Sequence, residues 1–468
     1  MNNVILKSLG AAGTVTGSKH LLQMPQLNLL VDCGLFQGIK DLRLQNWEPL
    51  NVNAWEIDAV ILTHAHLDHC GYIPVLIRNG FKGKIYMTAP TAALAELILL
   101  DSAKLQEEDA KSANQQHYSK HHPAKPLYTE EEARSAFKCF VVCQEKMPVL
   151  LNEHVQFRFQ LSGHIIGASS VEITCYGRKI VFSGDIGRNH SAILAPPDFF
   201  HQADYVVMES TYGDRLHGDM DPYQELEYWI NHTIKGGGNI IIPSFAVGRA
   251  QELIYMIYLL KAQQRIPMDL PVIMDSPMAA SATDIIVRYA DQYTTISKDV
   301  WLEMLRNVRV NREYSNTLGF IADKRSKIII AGSGMLTGGR VLEYLKHYIG
   351  NAKHTVLIIG FQAEGTRGRA LLNKSHELKI HGRYYPVSAT TIELLGLSAH
   401  ADQKELIGWI KKFDERLKQV FLVHGEPSAQ EALRVKISYE LHLPVKIMKQ
   451  NQEVLLFEID DKELAAIS

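Results

Sequence analysis

The stretch VILTHAHLDHCG, residues 60–71, sets His64, His66, Asp68 and His69 within six positions directly after an apolar run. Imidazole nitrogens and a carboxylate oxygen are donors that zinc accepts, and a His-rich set points to an open catalytic ion rather than a closed cysteine site. Four residues are too few for two ions. Further donors recur beyond other apolar runs: His164 in LSGHIIGASS, Asp185 in VFSGDIGR and His424 in VFLVHGE. Each stands near glycine, which lets the backbone turn sharply and approach an ion closely. Taken singly, each is as readily a packing histidine or a turn aspartate. Together with the first four they make up the ligand set of a two-metal site.

The elements that must carry these side chains are short strands. NLLVDCG, DAVILTH, GKIYMTA, RKIVFSGD and DYVVMES each hold four to six apolar or β-branched residues closed by Gly, Asp, Ser or His. Between them, residues 91–114 and 129–140 have helical apolar spacing. The polar link joining them, HYSKHHPAKP, holds His117, His121 and His122 beside Lys120, Lys125 and two prolines, and reads as a solvated loop. Cys139 and Cys143 have one-turn helical spacing and predict a buried helix face rather than a zinc site. After residue 213 the rhythm becomes strand, turn, helix: GGGNIIIPSF into GRAQELIYMIYLLKA, PVIMDSP into MAASATDIIVRYA, SKIIIAGSG into GGRVLEYLKHYI. Such alternation predicts a parallel α/β sheet. From about 398 the first style returns with KQVFLVHGE and ends on VLLFEI. The simplest arrangement is one domain, split in sequence, that carries the middle one as an insertion.

With 468 residues the chain exceeds one ordinary core. Five scattered cysteines do not form a disulfide framework, and a cytoplasmic location is expected. The N-terminus lacks the charged and apolar regions of a signal peptide, and no run reaches the roughly 20 apolar residues of a membrane span. A net charge of −2 argues against nucleic-acid binding by bulk charge alone, but leaves room for a nuclease with a locally cationic cleft.

HAHLDH, SGHIIGA, SGD and LVHGE resemble the ligand motifs of the metallo-β-lactamase superfamily. MESTYGD at 208–214, LSAHAD at 397–402 and LVHGE at 422–426 resemble the three added motifs of its β-CASP branch. GTVTGS, VDCG, PSFAVGRAQE, GSGMLTGGR and EGTRGR are also similar to that branch, and the motifs follow the family's order along essentially the whole chain. The branch includes RNA-cleaving enzymes, among them the endonuclease subunit of eukaryotic mRNA 3′-end formation. The resemblance implies an αββα sandwich built from residues 1–213 and 398–468, with a parallel-sheet α/β β-CASP domain inserted at 214–397. By motif, His64, His66 and His164 would bind one Zn2+ and Asp68, His69 and His424 a second, with Asp185 bridging and Asp32 orienting the histidine loop. His400 and Glu209 take the places of a catalytic histidine and its acidic partner. DNA-repair members lack a histidine at the position of His424, so its presence implies RNA. A homodimer is compatible with the resemblance.

Two such ions lower the pKa of a shared water and neutralise charge on a scissile phosphate, with Asp68 placed to take the water's proton and His400 to serve the leaving oxygen. The expected activity is zinc-dependent hydrolysis of single-stranded RNA, endonucleolytic by the overall motif wording. The alternatives are a 5′-to-3′ exoribonuclease and a non-nuclease metallohydrolase of the same fold. In the insertion, Ser244 and Arg249 of PSFAVGRAQE and Ser333, Gly334 and Arg340 of GSGMLTGGR lie on strand-to-helix turns, where free N–H groups bind phosphate. Arg367 and Arg369 of EGTRGR are similar candidates. For all of these, tight turns and structural ion pairs are the competing account.

Overall fold

The computed structural model describes residues 2–116, 121–218 and 221–459. They divide into two compact units: residues 2–189, 196–216 and 400–459 form one, and residues 190–195 with 217–399 form the other. The sequence had placed 190–195 in the first domain; in the structure they join the second, where the Thr295 amide donates to the Ile193 carbonyl.

The first unit holds two seven-stranded sheets. One runs Glu453–Glu458, Asn3–Ser8, His20–Met24, Leu27–Val31, Ala59–Ile61, Lys84–Met87 and Phe140–Val142. The other runs Val445–Ile447, Gln419–Leu422, Tyr205–Met208, Arg178–Phe182, Ser169–Cys175, Val155–Leu161 and Val149–Leu150. Strand side chains alternate between faces, and this chain fills both. Phe182, Val207 and Phe421 point into a core shared with Leu6, Leu22, Leu29 and Ile61 of the opposite sheet. Their neighbours Val181, Val206, Met208, Val420 and Leu422 point outward onto Leu406, Trp409 and Ile410 of the helix Gln403–Ile410 and Leu433 and Ile437 of the helix Pro427–Leu441. Because both faces are covered, these strands read as continuous apolar runs rather than alternating ones. The helix Ala89–Gln116 lies along the other sheet, and the result is an αββα sandwich.

The second unit is a parallel six-stranded sheet in the order Arg309–Asn311, Val272–Asp275, Ile328–Ala331, Ile240–Pro243, Thr355–Ile358 and Thr390–Glu393. Its isoleucine strands are fully buried, as the strand–helix alternation predicts.

One local expectation is corrected. No helix joins Cys139 to Cys143: a short 3₁₀ turn ends at Cys139, an edge strand occupies Phe140–Val142, and Cys143 follows it. Three apolar residues between turns are periodic in either sense, and sheet pairing of Val141 with Tyr86 decided the matter. Both thiols are free. His121 and His122 are exposed, while His117 and Lys120 lie outside the described residues. No helix among the described residues is long and apolar enough to cross a membrane.

Candidate metal centre

Every candidate ligand stands just beyond the end of a strand of the first unit. Asp32 follows Leu27–Val31, His64 to His69 follow Ala59–Ile61, and His164 follows Val155–Leu161. Asp185 follows Arg178–Phe182, Glu209 follows Tyr205–Met208 and His424 follows Gln419–Leu422. Asp32 and His424 hold φ values of 60° and 47°, in the left-handed region that non-glycine residues seldom adopt and that clusters at functional sites. The histidine loop is clamped by its backbone: the Ser18 amide donates to the Asp68 carbonyl and the Cys33 amide to the His69 carbonyl. Gly34 permits this approach, since a Cβ there would fall 1.5 Å from the Asp68 carbonyl oxygen.

The donors converge into two nests. In the first, His66 Nδ1 lies 3.1 Å from both His64 Nε2 and His164 Nε2, and Asp185 Oδ2 lies 3.4 and 3.5 Å from those two nitrogens. In the second, His69 Nε2 is 3.2 Å from His424 Nε2, which is 3.3 Å from Asp68 Oδ2. Asp185 Oδ1 is 3.3 Å from His69 Nε2, so each oxygen of Asp185 serves a different nest. Four ligands around an ion at about 2.0–2.1 Å stand about 3.3 Å apart along the edges of a tetrahedron. The spacings of the first nest match that edge, whereas the second is looser, with His69 Nε2 3.8 Å from Asp68 Oδ2 and His424 Nδ1 3.7 Å from Asp185 Oδ1.

Hydrogen bonds at the back of the rings decide which nitrogen offers a lone pair. Asp32, 2% exposed, accepts the Thr63 amide at Oδ1, and at Oδ2 it accepts the Thr63 hydroxyl and His69 Nδ1 at 2.9 and 2.8 Å. The Thr63 hydroxyl, its hydrogen committed to Asp32, accepts from His64 Nδ1 at 3.1 Å. Thr211 Oγ1 stands 3.2 Å from His424 Nδ1. The Nε2 atoms of His64, His69 and His424 are thereby turned toward the nests as acceptors. Buried Asp185 Oδ1 has no hydrogen-bond donor among the described residues. Distances of this length suit a proton shared between two nitrogens or a cation held among all the donors, and the residues present fit a divalent metal. The field acts on protons too. Burial opposes charge on His69, yet Asp185 and Asp32 outweigh it and hold the imidazolium well above its usual range. Metal and proton compete for such a site.

Beside the nests, His400 Nδ1 lies 3.2 Å from both oxygens of Glu209, and its ring sits 4.5 Å from that of His164. Glu209 is fixed by the Ile186 amide at 2.6 Å and the Thr211 amide at 3.3 Å. Burial disfavours the His400 cation, but the charge and hydrogen bond of Glu209 outweigh it and raise the pKa. Asp68 and His400 keep 17% and 15% of their side chains accessible, whereas His64, His69, His164, Asp185 and His424 keep 4% or less.

The six residues expected to grip phosphate all lie in the second unit, and the structure gives them other partners. Arg249 pairs with Glu252 and donates to the Leu397 carbonyl. Arg340 donates to Asp275 at 2.6 Å and to the carbonyls of Asn311 and Arg312. Arg367 donates to the carbonyls of Lys379, Leu336 and Thr337. Ser333 Oγ accepts the Thr337 and Gly338 amides, Ser244 Oγ donates to the Phe245 carbonyl, and Gly334 packs on the Phe245 ring. This favours turn-building and ion pairing, the competing account. Conversely, Thr63 and Thr211 escaped the sequence reading. Their adjacency to ligand motifs was visible, but their bonds span 31 and 213 positions.

Residues 21–229 match the metallo-beta-lactamase superfamily, residues 250–371 the Beta-Casp domain, and residues 384–448 a Zn-dependent metallo-hydrolase RNA specificity domain. The chain is 33% identical to Ribonuclease TTHA0252 of Thermus thermophilus, over 91% of this chain and 94% of that one. It is 30% identical to an RNase J-like protein of Methanocaldococcus jannaschii, over 94% and 97% respectively. It is 27% identical to Integrator complex subunit 11 of Danio rerio, over 95% of this chain and 74% of that one. A solved protein of unknown function from Enterococcus faecalis shares the fold at a TM-score of 0.53 and 12% identity, covering 97% of this chain and 100% of that one.

Proposed function

The chain belongs to the β-CASP branch of the metallo-β-lactamase superfamily, and from that premise we propose that it is a ribonuclease, hydrolysing phosphodiester bonds of single-stranded RNA with two zinc ions. The observation that carries the reading is the pair of nests sharing Asp185, with the His400–Glu209 pair on their accessible side. The names of the relatives, a ribonuclease and an RNase J-like protein, support RNA as the substrate.

His64, His66, His164 and Asp185 would hold one ion, and Asp68, His69, His424 and Asp185 the other. Bound there, zinc supplies a water of lowered pKa and neutralises charge on the scissile phosphate. Asp68, the most accessible of the carboxylates at the nests, accepts the proton of the attacking water. Glu209 holds the His400 Nδ1 proton and keeps the ring cationic, so that Nε2 delivers a proton to the leaving ribose oxygen. Cleavage is endonucleolytic by the motif wording, which is closer to the endonucleolytic group than to RNase J.

The test uses internally labelled and 5′-labelled single-stranded RNA, with matching DNA, with and without chelator. The reading expects internal cuts in RNA that stop on chelation and are restored by zinc. Mononucleotide products that depend on a 5′-monophosphate would replace it with the 5′-to-3′ exonuclease. Wild-type rates in both Asp68→Ala and His400→Ala proteins would show that the assigned site is wrong.

A further inference from the structure

A cavity of about 540 Å³ opens on the first unit, lined entirely by that unit's own residues. Its floor is the helix Gln403–Ile410, at Glu405, Gly408 and Trp409, and its walls include Ile186, Pro197 and Phe199. Lys411 and Lys412 complete the lining. The volume falls in the range of small-ligand sites, and the mix of apolar walls with few polar groups is typical of them.

Three features set it apart from an incidental groove. Gly408 sits inside the helix Gln403–Ile410, a position where glycine is disfavoured relative to alanine. A Cβ built on it meets nothing within 4 Å, so the helix forgoes a side chain at the point where one would enter the cavity. The indole Nε1 of Trp409, 2% exposed, is buried without a hydrogen-bond partner, an orphan that a ligand could satisfy. The cavity also joins the metal centre through one stretch of backbone. Ile186 and Gly187 directly follow Asp185, Gly187 pairs with His400 in a β-bridge, and the Ala401 amide donates to the Ile186 carbonyl.

The charges indicate the occupant. Lys411 reaches only a loose 3.5 Å ion pair with Glu440, and Lys412 Nζ lies 5.3 Å from the centre of the Phe199 ring. The one carboxylate in the lining, Glu405, is already engaged by the amides of Asn189, at 2.9 Å, and Asp402, at 3.1 Å. Two cations beside aromatic walls match a flat base carrying a phosphate, since bases stack on aromatic side chains and lysines take phosphate charge. We propose that this cavity binds one nucleotide of the substrate strand, its base against Phe199 and its phosphate at Lys411 and Lys412. The proposal rests on the ribonuclease reading for the identity of the strand.

The test is photocrosslinking of 4-thiouridine 5′-monophosphate to the metal-loaded full chain, with adducts located by peptide mapping. The expected adducts lie on the segments carrying Phe199 or Trp409, and adenosine 5′-monophosphate competes for them. In Gly408→Leu, whose side chain enters the cavity, their yield falls at least tenfold. Its fold is verified by a melting temperature no lower than that of the parent. If that variant melts early, a double Lys411→Ala and Lys412→Ala protein takes its place, with a tenfold weaker competition by adenosine 5′-monophosphate expected. Unchanged yield in a folded variant, adducts only elsewhere, or inorganic phosphate competing as well as the nucleotide would each overturn the proposal. RNA cleavage by the parent is measured separately. Crosslinking at the cavity without RNA cleavage would remove the ribonuclease reading and leave a nucleotide site, whereas cleavage without such adducts would remove the cavity alone.

Discussion

Replacing Asp32 by asparagine keeps the shape of the side chain and changes only what it can accept. Its two oxygens now take three donors: the Thr63 amide at 2.8 Å, the Thr63 hydroxyl at 2.9 Å and His69 Nδ1 at 2.8 Å. An asparagine NH₂ must face one side. Turned toward the Thr63 amide it opposes a donor that cannot rearrange, so the amide oxygen takes that side and the NH₂ faces His69. The imidazole then yields by moving its proton to Nε2, the atom aimed into the nest with Asp68 and His424, and a protonated nitrogen does not ligate. The Thr63 hydroxyl can accept from the new NH₂ while still accepting from His64, so the other nest is hardly touched. Outer partners of ligating histidines are typically worth ten- to hundredfold in metal affinity, or about 1.4–2.7 kcal/mol. Zinc competition against a chromophoric chelator should therefore show one ion bound as in the parent and one weakened by that factor. Activity should be lost at limiting zinc and largely recovered at excess. Two ions held with parental affinity, or loss of the ion at His64, His66 and His164 instead, would refute the tautomer argument.

His400→Ala should keep its full metal content and lose about 10²–10⁴ in single-turnover cleavage rate, because the ring lies beside the ligands without being one of them. Lys19, fully buried with its ammonium donating to the Gly17 and Gly34 carbonyls, has its pKa pushed down by burial from 10.5 to about 8, against a smaller opposing pull from Cys33. The folded state thus binds fewer protons than the unfolded one between those values. Stability contributed through Lys19 should rise by about 3 kcal/mol as pH climbs from 8 to 10.5, a trend absent from Lys19→Met in denaturant titrations. Arg340→Ala should strip the cation from Asp275, which is fully buried, and lower stability by about 3–5 kcal/mol, read as an early melt. Were Arg340 a phosphate grip instead, the melt would stay put and KM would rise.

The residues that converge in the two nests were legible because each sits in a compact motif directly beyond an apolar strand, a pattern that survives without knowledge of the strand order. The inserted parallel sheet was legible for a similar reason, as runs such as Ile240–Pro243 and Ile328–Ala331 are apolar throughout and alternate with helices. The arginines were not. Arg249, Arg340 and Arg367 stand on turns that could cradle phosphate, and only folding reveals that Glu252, Asp275 and a ring of carbonyls already occupy their donors. Nor does a linear reading disclose Thr211 at the back of His424, because nothing local requires a hydroxyl there. The short FVV run before Cys143 was ambiguous by length alone, and its edge pairing lies more than fifty residues away.

On the proposed two-ion reading, the division of Asp185 between the nests has a thermodynamic consequence. One carboxylate cannot be oriented for one ion without being oriented for the other, so the two binding equilibria are coupled. Linkage then requires reciprocity: whatever factor the first ion applies to the affinity for the second, the second returns to the first. Stepwise zinc titrations of the intact protein and of an Asp185→Asn variant should thus differ in cooperativity as well as in affinity. Where that factor exceeds one, a cell that lowers free zinc empties both nests over a narrow range; where it is below one, the nests empty one after the other, and the titration decides between the two.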